Sequence, residues 1–224
     1  MNTNTDTLKL QYLYYLKRMG HSYTKPLKEF VPSTQLELPQ NLQKLSDAVR
    51  SCHLCQLAKT RLNTVFGEGN ESAKLMFVGE GPGESEDKSG RPFVGKAGEL
   101  LTKMIENAIG VQRESVYIAN IVKCRPPGNR VPTKDEASTC ISYLHKQIEI
   151  INPKIIVALG ATALNSLAKK EYPIMKIRGT VMEYDGVKLV PTFHPSFLLR
   201  NPSAKKEAYA DMLLVKSLLD ELKS

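Results

Sequence analysis

An α/β fold with a parallel sheet covered by helices on both faces is predicted by two features of the chain. Short, nearly continuous apolar runs recur along it, and helical patterns separate them. A third feature places the chemistry: glycine, asparagine or histidine follows these runs, and in such sheets ligands bind beyond the carboxyl ends of the strands.

The elements follow in order. Residues 5–19 predict an amphipathic helix, with Leu8, Tyr12, Tyr15 and Leu16 at helical spacing, Thr5 or Asp6 to cap it and Gly20 to end it. Residues 20–38, with Pro26 and Pro32, read as an extended arm. Pro39 opens a second helix to about Ser51. The first strand is Lys74-Leu-Met-Phe-Val-Gly79, and its helix runs from Gly95 to Ala108 with Leu100, Leu101, Met104 and Ile105 on one face. Val116 to Val122 is the second strand. A helix starts at Thr133, where Thr133 and Glu136 form a capping box behind Pro132. Lys154 to Leu159 is the third strand, followed by a helix over 161–168. Val181–Tyr184 and Val187–Val190 flank Asp185-Gly186, a hairpin signal whose second arm leads to His194. A last helix covers 204–222.

Composition limits the classes. The chain has 224 residues, 42% hydrophobic, which is enough to bury a core without disulfide staples. The longest uncharged apolar stretch, Ile155 to Ala168, is too short for a membrane span and carries Gly160, Thr162, Asn165 and Ser166. The N-terminus shows no secretory pattern, so the expected compartment is the cytoplasm. Thirty-one Lys and Arg stand against 23 Asp and Glu, a net charge of +8 spread along the chain, which suits a polyanionic partner such as nucleic acid.

Four groups of residues can carry chemistry. Cys52 and Cys55 form a C-x2-C clamp, and Cys124 and Cys140 lie past a strand and inside the next helix. Four thiolates suit a zinc site or a [4Fe-4S] cluster equally, and spacing does not choose between them. Gly79-Glu-Gly-Pro-Gly-Glu84, with Glu86 and Asp87, follows the first strand without forming a dinucleotide fingerprint or a P-loop. Asn120 lies in the C-terminal end of the second strand, where its amide offers a donor and an acceptor to a base edge, and Phe93 is presented from the stiff Gly90-Arg-Pro segment. His194 ends the last strand, ahead of a short helix for which Ser196 is the expected cap. Leu198, Leu199 and Arg200 lie at the tip of that helix and suit a wedge entering a nucleic-acid stack.

The glycine–acid loop, Gly90-Arg-Pro-Phe-Val-Gly95, Asn120, Cys124-Arg-Pro-Pro-Gly-Asn-Arg130, His194-Pro-Ser-Phe-Leu-Leu-Arg200 and the four cysteines together resemble the family 4 uracil-DNA glycosylases. The resemblance covers about Ser46 to Leu219. It implies a three-layer α/β/α sandwich around a four-stranded parallel sheet, with residues 1–45 as an N-terminal helix and arm of unknown role and 46–224 as the glycosylase-like domain. The implied activity is removal of uracil from single- or double-stranded DNA by a monomer, to start base-excision repair. By the family's pattern Cys52, Cys55, Cys124 and Cys140 hold a structural [4Fe-4S] cluster, Phe93 stacks on the flipped uracil, Asn120 reads its O4 and N3, His194 lies near O2, and the backbone of Glu80 and Gly81 completes the pocket.

One departure is visible. Better-known uracil glycosylases place an aspartate to position water and a tyrosine to exclude thymine where this chain has Gly81 and Gly83. Glu86 or Asp87 is therefore expected to orient the water, and Glu80 or nearby loop atoms to exclude thymine. Three other readings stay open: a uracil-binding cousin that crosslinks through a histidine-bearing insertion, which this loop lacks; a metal-dependent nuclease using Glu80, Glu84, Glu86 and Asp87; and a non-enzymatic zinc or cluster module that binds nucleic acid.

Overall fold

The computed structural model describes residues 12–15, 17 and 38–222, and by its contacts the chain divides into residues 1–38 and 39–224. In the first unit, Tyr12 to Tyr15 and Lys17 are helical, and the rest of the helix expected over 5–19 lies outside the described residues, as does nearly all of the expected arm. The second unit begins ahead of helix α1 (Leu42–Arg50), which Asn41 caps by accepting from the Lys44 N–H at 3.1 Å. The expected boundary between residues 45 and 46 falls inside this helix, whose Leu45 and Val49 are buried.

The sheet has six strands in the order β1 (Glu68–Gly69), β3 (Tyr117–Asn120), β2 (Leu75–Gly79), β4 (Ile155–Leu159), β6 (Val187–Thr192) and β5 (Met182–Tyr184). It is mixed rather than wholly parallel. The inner strands pair in parallel, while β1 and β5 run antiparallel at the two edges. Leu75, Phe77, Ile155 and Val157 join a core with Leu101, Ile105, Met212 and Val215. The alternate residues Met76, Val78, Ile156 and Ala158 point to the other face. They are equally buried, and helix α5 (Ala161–Ala168) packs against β2 and β4 there. Burial on both faces explains why these strands read as unbroken apolar runs, since each large side chain removed from water contributes about 1.5–3 kcal/mol.

Local signals hold where they are strong. Helix α4 (Lys134–Ile151) starts with the expected capping box: Thr133 accepts from the Glu136 N–H, and Glu136 accepts from the Thr133 N–H at 2.8 Å. Asp185 and Gly186 both have positive φ, as a two-residue hairpin with the right-handed twist requires. The acidic segment expected as loop is instead helix α2 (Glu84–Ser89). It has no apolar periodicity to betray it, but three carboxylates in its first turn complement the helix dipole. Helix α3 (Lys96–Lys103) runs into a π-helical segment, Met104–Ile109, closed by Gly110. The short helix α6 (Ile174–Ile177) precedes β5. Helix α7 (Pro195–Arg200) follows β6, and helix α8 (Lys205–Glu221) closes the described fold. Among the described residues, no helix is long and apolar enough to cross a membrane.

Candidate active site

The chain passes from β2 to β3 on one side and then to β4 on the other, so β2 and β4 bound the crevice at which such sheets bind ligands. Glycines floor it because side chains converge there. A methyl group on Gly79, at the end of β2, would stand 2.4 Å from Asn120 Oδ1 and 2.6 Å from Phe93 Cζ. One on Gly160, just past β4, would stand 3.0 Å from His194 Cβ. The rings of Phe93 and His194 lie 5.8 Å apart, tilted by 34°. Phe93, Asn120 and His194, named from three distant stretches of sequence, thus share one site.

Asn120 is paired in register with Gly79 and is 1% exposed. Its Oδ1 is buried without a hydrogen-bond partner. An amide oxygen left so costs about 1–3 kcal/mol, and the cost is recovered when a ligand N–H reaches it.

Phe93 adopts φ +52°, a left-handed conformation that costs an ordinary residue about 1–2 kcal/mol. Its surroundings impose it. Glu86 Oε1 accepts from the N–H groups of Val94 and Gly95, both at 2.9 Å, while Oε2 accepts from Gly83 N–H at 3.1 Å. Arg113 donates to the Pro92 carbonyl at 2.8 Å and is itself held by Glu68, which also pairs with Arg91. Gly98 of α3 lies against the Phe93 backbone, where a methyl group would come within 1.8 Å of the carbonyl oxygen. No local pattern in the chain marks these clamps, because a carboxylate such as Glu86 or Glu68 shows its backbone or guanidinium partners only once the fold brings them together.

The carboxylates expected to orient water are committed to backbone amides. Glu86 holds the Phe93 loop, and Asp87, 1% exposed, accepts from the N–H groups of Leu62 and Asn63. Glu84 pairs with Lys88 at 2.6 Å and Arg125 at 3.7 Å. Glu80, half-buried, accepts from the Thr162 hydroxyl at 2.5 Å, across the β2–β4 crevice. Gly81 packs its backbone against Val122, leaving no room for a side chain.

His194, not Ser196, is the N-cap of α7. Its Nδ1 accepts from the Ser196 N–H at 3.1 Å and lies 2.8 Å from the Ser196 hydroxyl. A neutral ring that accepts at Nδ1 carries its proton on Nε2 and is a donor there. Burial, assisted by the Arg200 cation, pushes its pKa down to about 4. The ring is therefore neutral at pH 7, and a reaction in which it donates should show no acid limb at pH 6–7; an acid limb with a midpoint near 6.5 that disappears in His194→Gln would show an ordinary, titrating histidine.

The expected wedge residues divide. Leu198 is 1% exposed within the core, whereas Leu199 is 42% exposed beside the exposed Arg200.

Cys52, Cys55, Cys124 and Cys140 form no disulfide and line one pocket with Val49, Arg61 and Tyr143. Among the described residues, no three His, Cys, Asp or Glu side chains are grouped as around a bound ion. The donor chemistry nevertheless fits a thiolate-bound group. Arg61 donates to Cys124 Sγ at 3.2 Å and the Lys123 N–H to Cys140 Sγ at 3.4 Å, the hydrogen bonds that stabilise sulfur carrying negative charge. Arg130 pairs with Glu136, tying the Cys124 loop to the start of the helix that carries Cys140.

The family model described as uracil DNA glycosylase superfamily matches residues 66–215. The chain belongs to the uracil-DNA glycosylase superfamily. It is 54% identical over 164 residues to the type-4 uracil-DNA glycosylase of Thermotoga maritima, covering 72% of this chain and 85% of the relative. The type-4 enzyme of Saccharolobus solfataricus is 46% identical over 187 residues, 80% of this chain and 87% of the relative. That of Sulfurisphaera tokodaii is 45% identical over 186 residues, 80% and 84%. Residues 66–215 of this glycosylase superfamily member include Phe93, Asn120, His194 and two of the four cysteines; the C-x2-C pair precedes them.

Proposed function

We propose that this chain is a type-4 uracil-DNA glycosylase that flips uracil out of DNA and hydrolyses its N-glycosidic bond, the first step of base-excision repair. The observation that carries the reading is the convergence of an aromatic ring, a buried amide with an unpartnered oxygen and a neutral histidine on a glycine floor. Uracil presents a flat ring to Phe93, a donor at N3 for Asn120 Oδ1, an acceptor at O4 for its amide nitrogen, and O2 for His194 Nε2–H.

Breaking the bond leaves oxocarbenium character on the sugar and negative charge on uracil. Donation from His194 to O2 stabilises that anion, a contribution of about 3 kcal/mol in comparable sites. With Glu86 and Asp87 engaged by backbone amides, the carboxylate available to the cationic sugar and the attacking water is Glu80, fixed by Thr162. That engagement of Glu86 and Asp87 also weighs against a metal-dependent nuclease built on Glu80, Glu84, Glu86 and Asp87. Cys52, Cys55, Cys124 and Cys140 would hold a [4Fe-4S] cluster, which supplies structural cross-linking rather than a step of hydrolysis. One copy contains the whole constellation, so a monomer suffices.

Incubation with oligonucleotides carrying uracil opposite guanine, opposite adenine or in a single strand tests the reading by release of free uracil. No release from any of the three would refute it. Flipping costs a few kcal/mol in a duplex and least in a single strand. Leu199→Ala is accordingly expected to slow duplex cleavage several-fold more than single-strand cleavage, with Leu198→Ala acting through stability instead. Equal losses of Leu199→Ala on both substrates would dismiss the wedge.

A further inference from the structure

We infer that Lys123, a residue outside the substrate-contacting set, is the positioning residue that aims Asn120. The inference rests on the uracil reading of the pocket. Lys123 is 1% exposed, an unusual place for an ammonium group. Its Nζ donates to the Asn120 carbonyl at 2.8 Å and to Gln147 Oε1 at 2.6 Å, and lies 6.0 Å from the centre of the Phe66 ring. Gln147 is wholly buried and anchored in turn, its Nε2 donating to the Phe66 carbonyl at 3.0 Å and to the Tyr117 hydroxyl at 3.2 Å.

Asn120 needs such an anchor. Its side-chain oxygen has no hydrogen-bond partner in the protein, so no hydrogen bond orients it from the pocket side. Its aim is inherited from the backbone, which leaves the sheet here: the Ile121 N–H bonds to Gly79 and the Val122 N–H to Glu80, while the Asn120 carbonyl goes to Lys123. The same residue faces the thiol pocket, because its backbone N–H donates to Cys140 Sγ. Helix α4 supplies both Gln147 and Cys140, so one residue joins the base-reading amide to the helix that carries a cysteine ligand.

The test uses the full chain with Lys123→Met, which keeps bulk and removes the donors, and Lys123→Gln, which keeps a shorter donor. Readouts are single-turnover uracil release, DNA affinity, inhibition by free uracil, and metal per chain. Misplacing a reacting contact by about 1 Å costs on the order of 100-fold. Lys123→Met is therefore expected to slow release by about 10- to 100-fold and to weaken inhibition by free uracil, with DNA affinity and metal content unchanged and Lys123→Gln partly recovered. Added to Asn120→Ala it should cost little more, because both remove the same contact. Wild-type rates in a folded Lys123→Met, losses that add fully to those of Asn120→Ala, or losses that track metal would each overturn the proposal. Were the wild-type chain unable to release uracil, the reading of the pocket would fail instead.

Discussion

Asn120→Asp is expected to lower uracil release at pH 8 by about 100- to 1,000-fold, the usual cost of losing one buried donor in a charge-developing site. The reason lies in what the pocket offers. Asn120 presents one donor and one acceptor from a buried position, matching uracil O4 and N3–H. An ionised aspartate sets an acceptor against O4 and leaves the uracil oxygen unpaired. Cytosine, with an amino group at position 4, meets such an acceptor favourably, so slow cytosine release is the expected gain. A buried carboxyl is also driven to protonate, and its O–H restores a donor. Part of the lost uracil activity should therefore return as pH falls toward 5. The measurement is single-turnover release of both bases between pH 5 and 9 from folded, metal-replete protein; wild-type uracil rates at pH 8 would remove Asn120 from the pocket.

Cys140→Ser is expected to produce the largest loss of stability. The four cysteines come from the segment after α1, the loop after β3 and the middle of α4, so a group bound to all of them cross-links three parts of the fold. Losing a structural metal is among the few single changes that cost more than about 4 kcal/mol. For a chain of this size that corresponds to roughly 10 °C or more in Tm. Wild-type protein should be brown from iron-sulfur absorbance, and the variant pale, with activity at low temperature falling no further than the folded fraction. A colourless wild type holding stoichiometric zinc would exclude the cluster. A variant as stable and metal-rich as wild type that fails only in turnover would assign the site to chemistry.

Wherever a property depends on neighbours in the chain, the sequence alone determined it. Apolar runs ending in Gly79, Asn120 and the Phe193-His194 step were enough to locate the ligand-binding edge, because strand period and turn chemistry are local. Thr133 with Glu136 and Asp185 with Gly186 were legible for the same reason. Phe93, Asn120, His194 and the four cysteines were legible by residue type and motif. Tertiary structure alone decided which groups those residues meet. Glu86 and Asp87 look like free carboxylates in the chain, yet backbone amides from other segments claim both. Leu198 and Leu199 are the same residue type, and only the packing of α7 against α3 and the core separates the buried one from the exposed one. Lys123, Thr162 and Arg113 carry no sequence signal, since a polar side chain's partner is fixed by which backbone carbonyl or carboxylate the fold brings within 3 Å, and that is a property of the assembled sheet and helices.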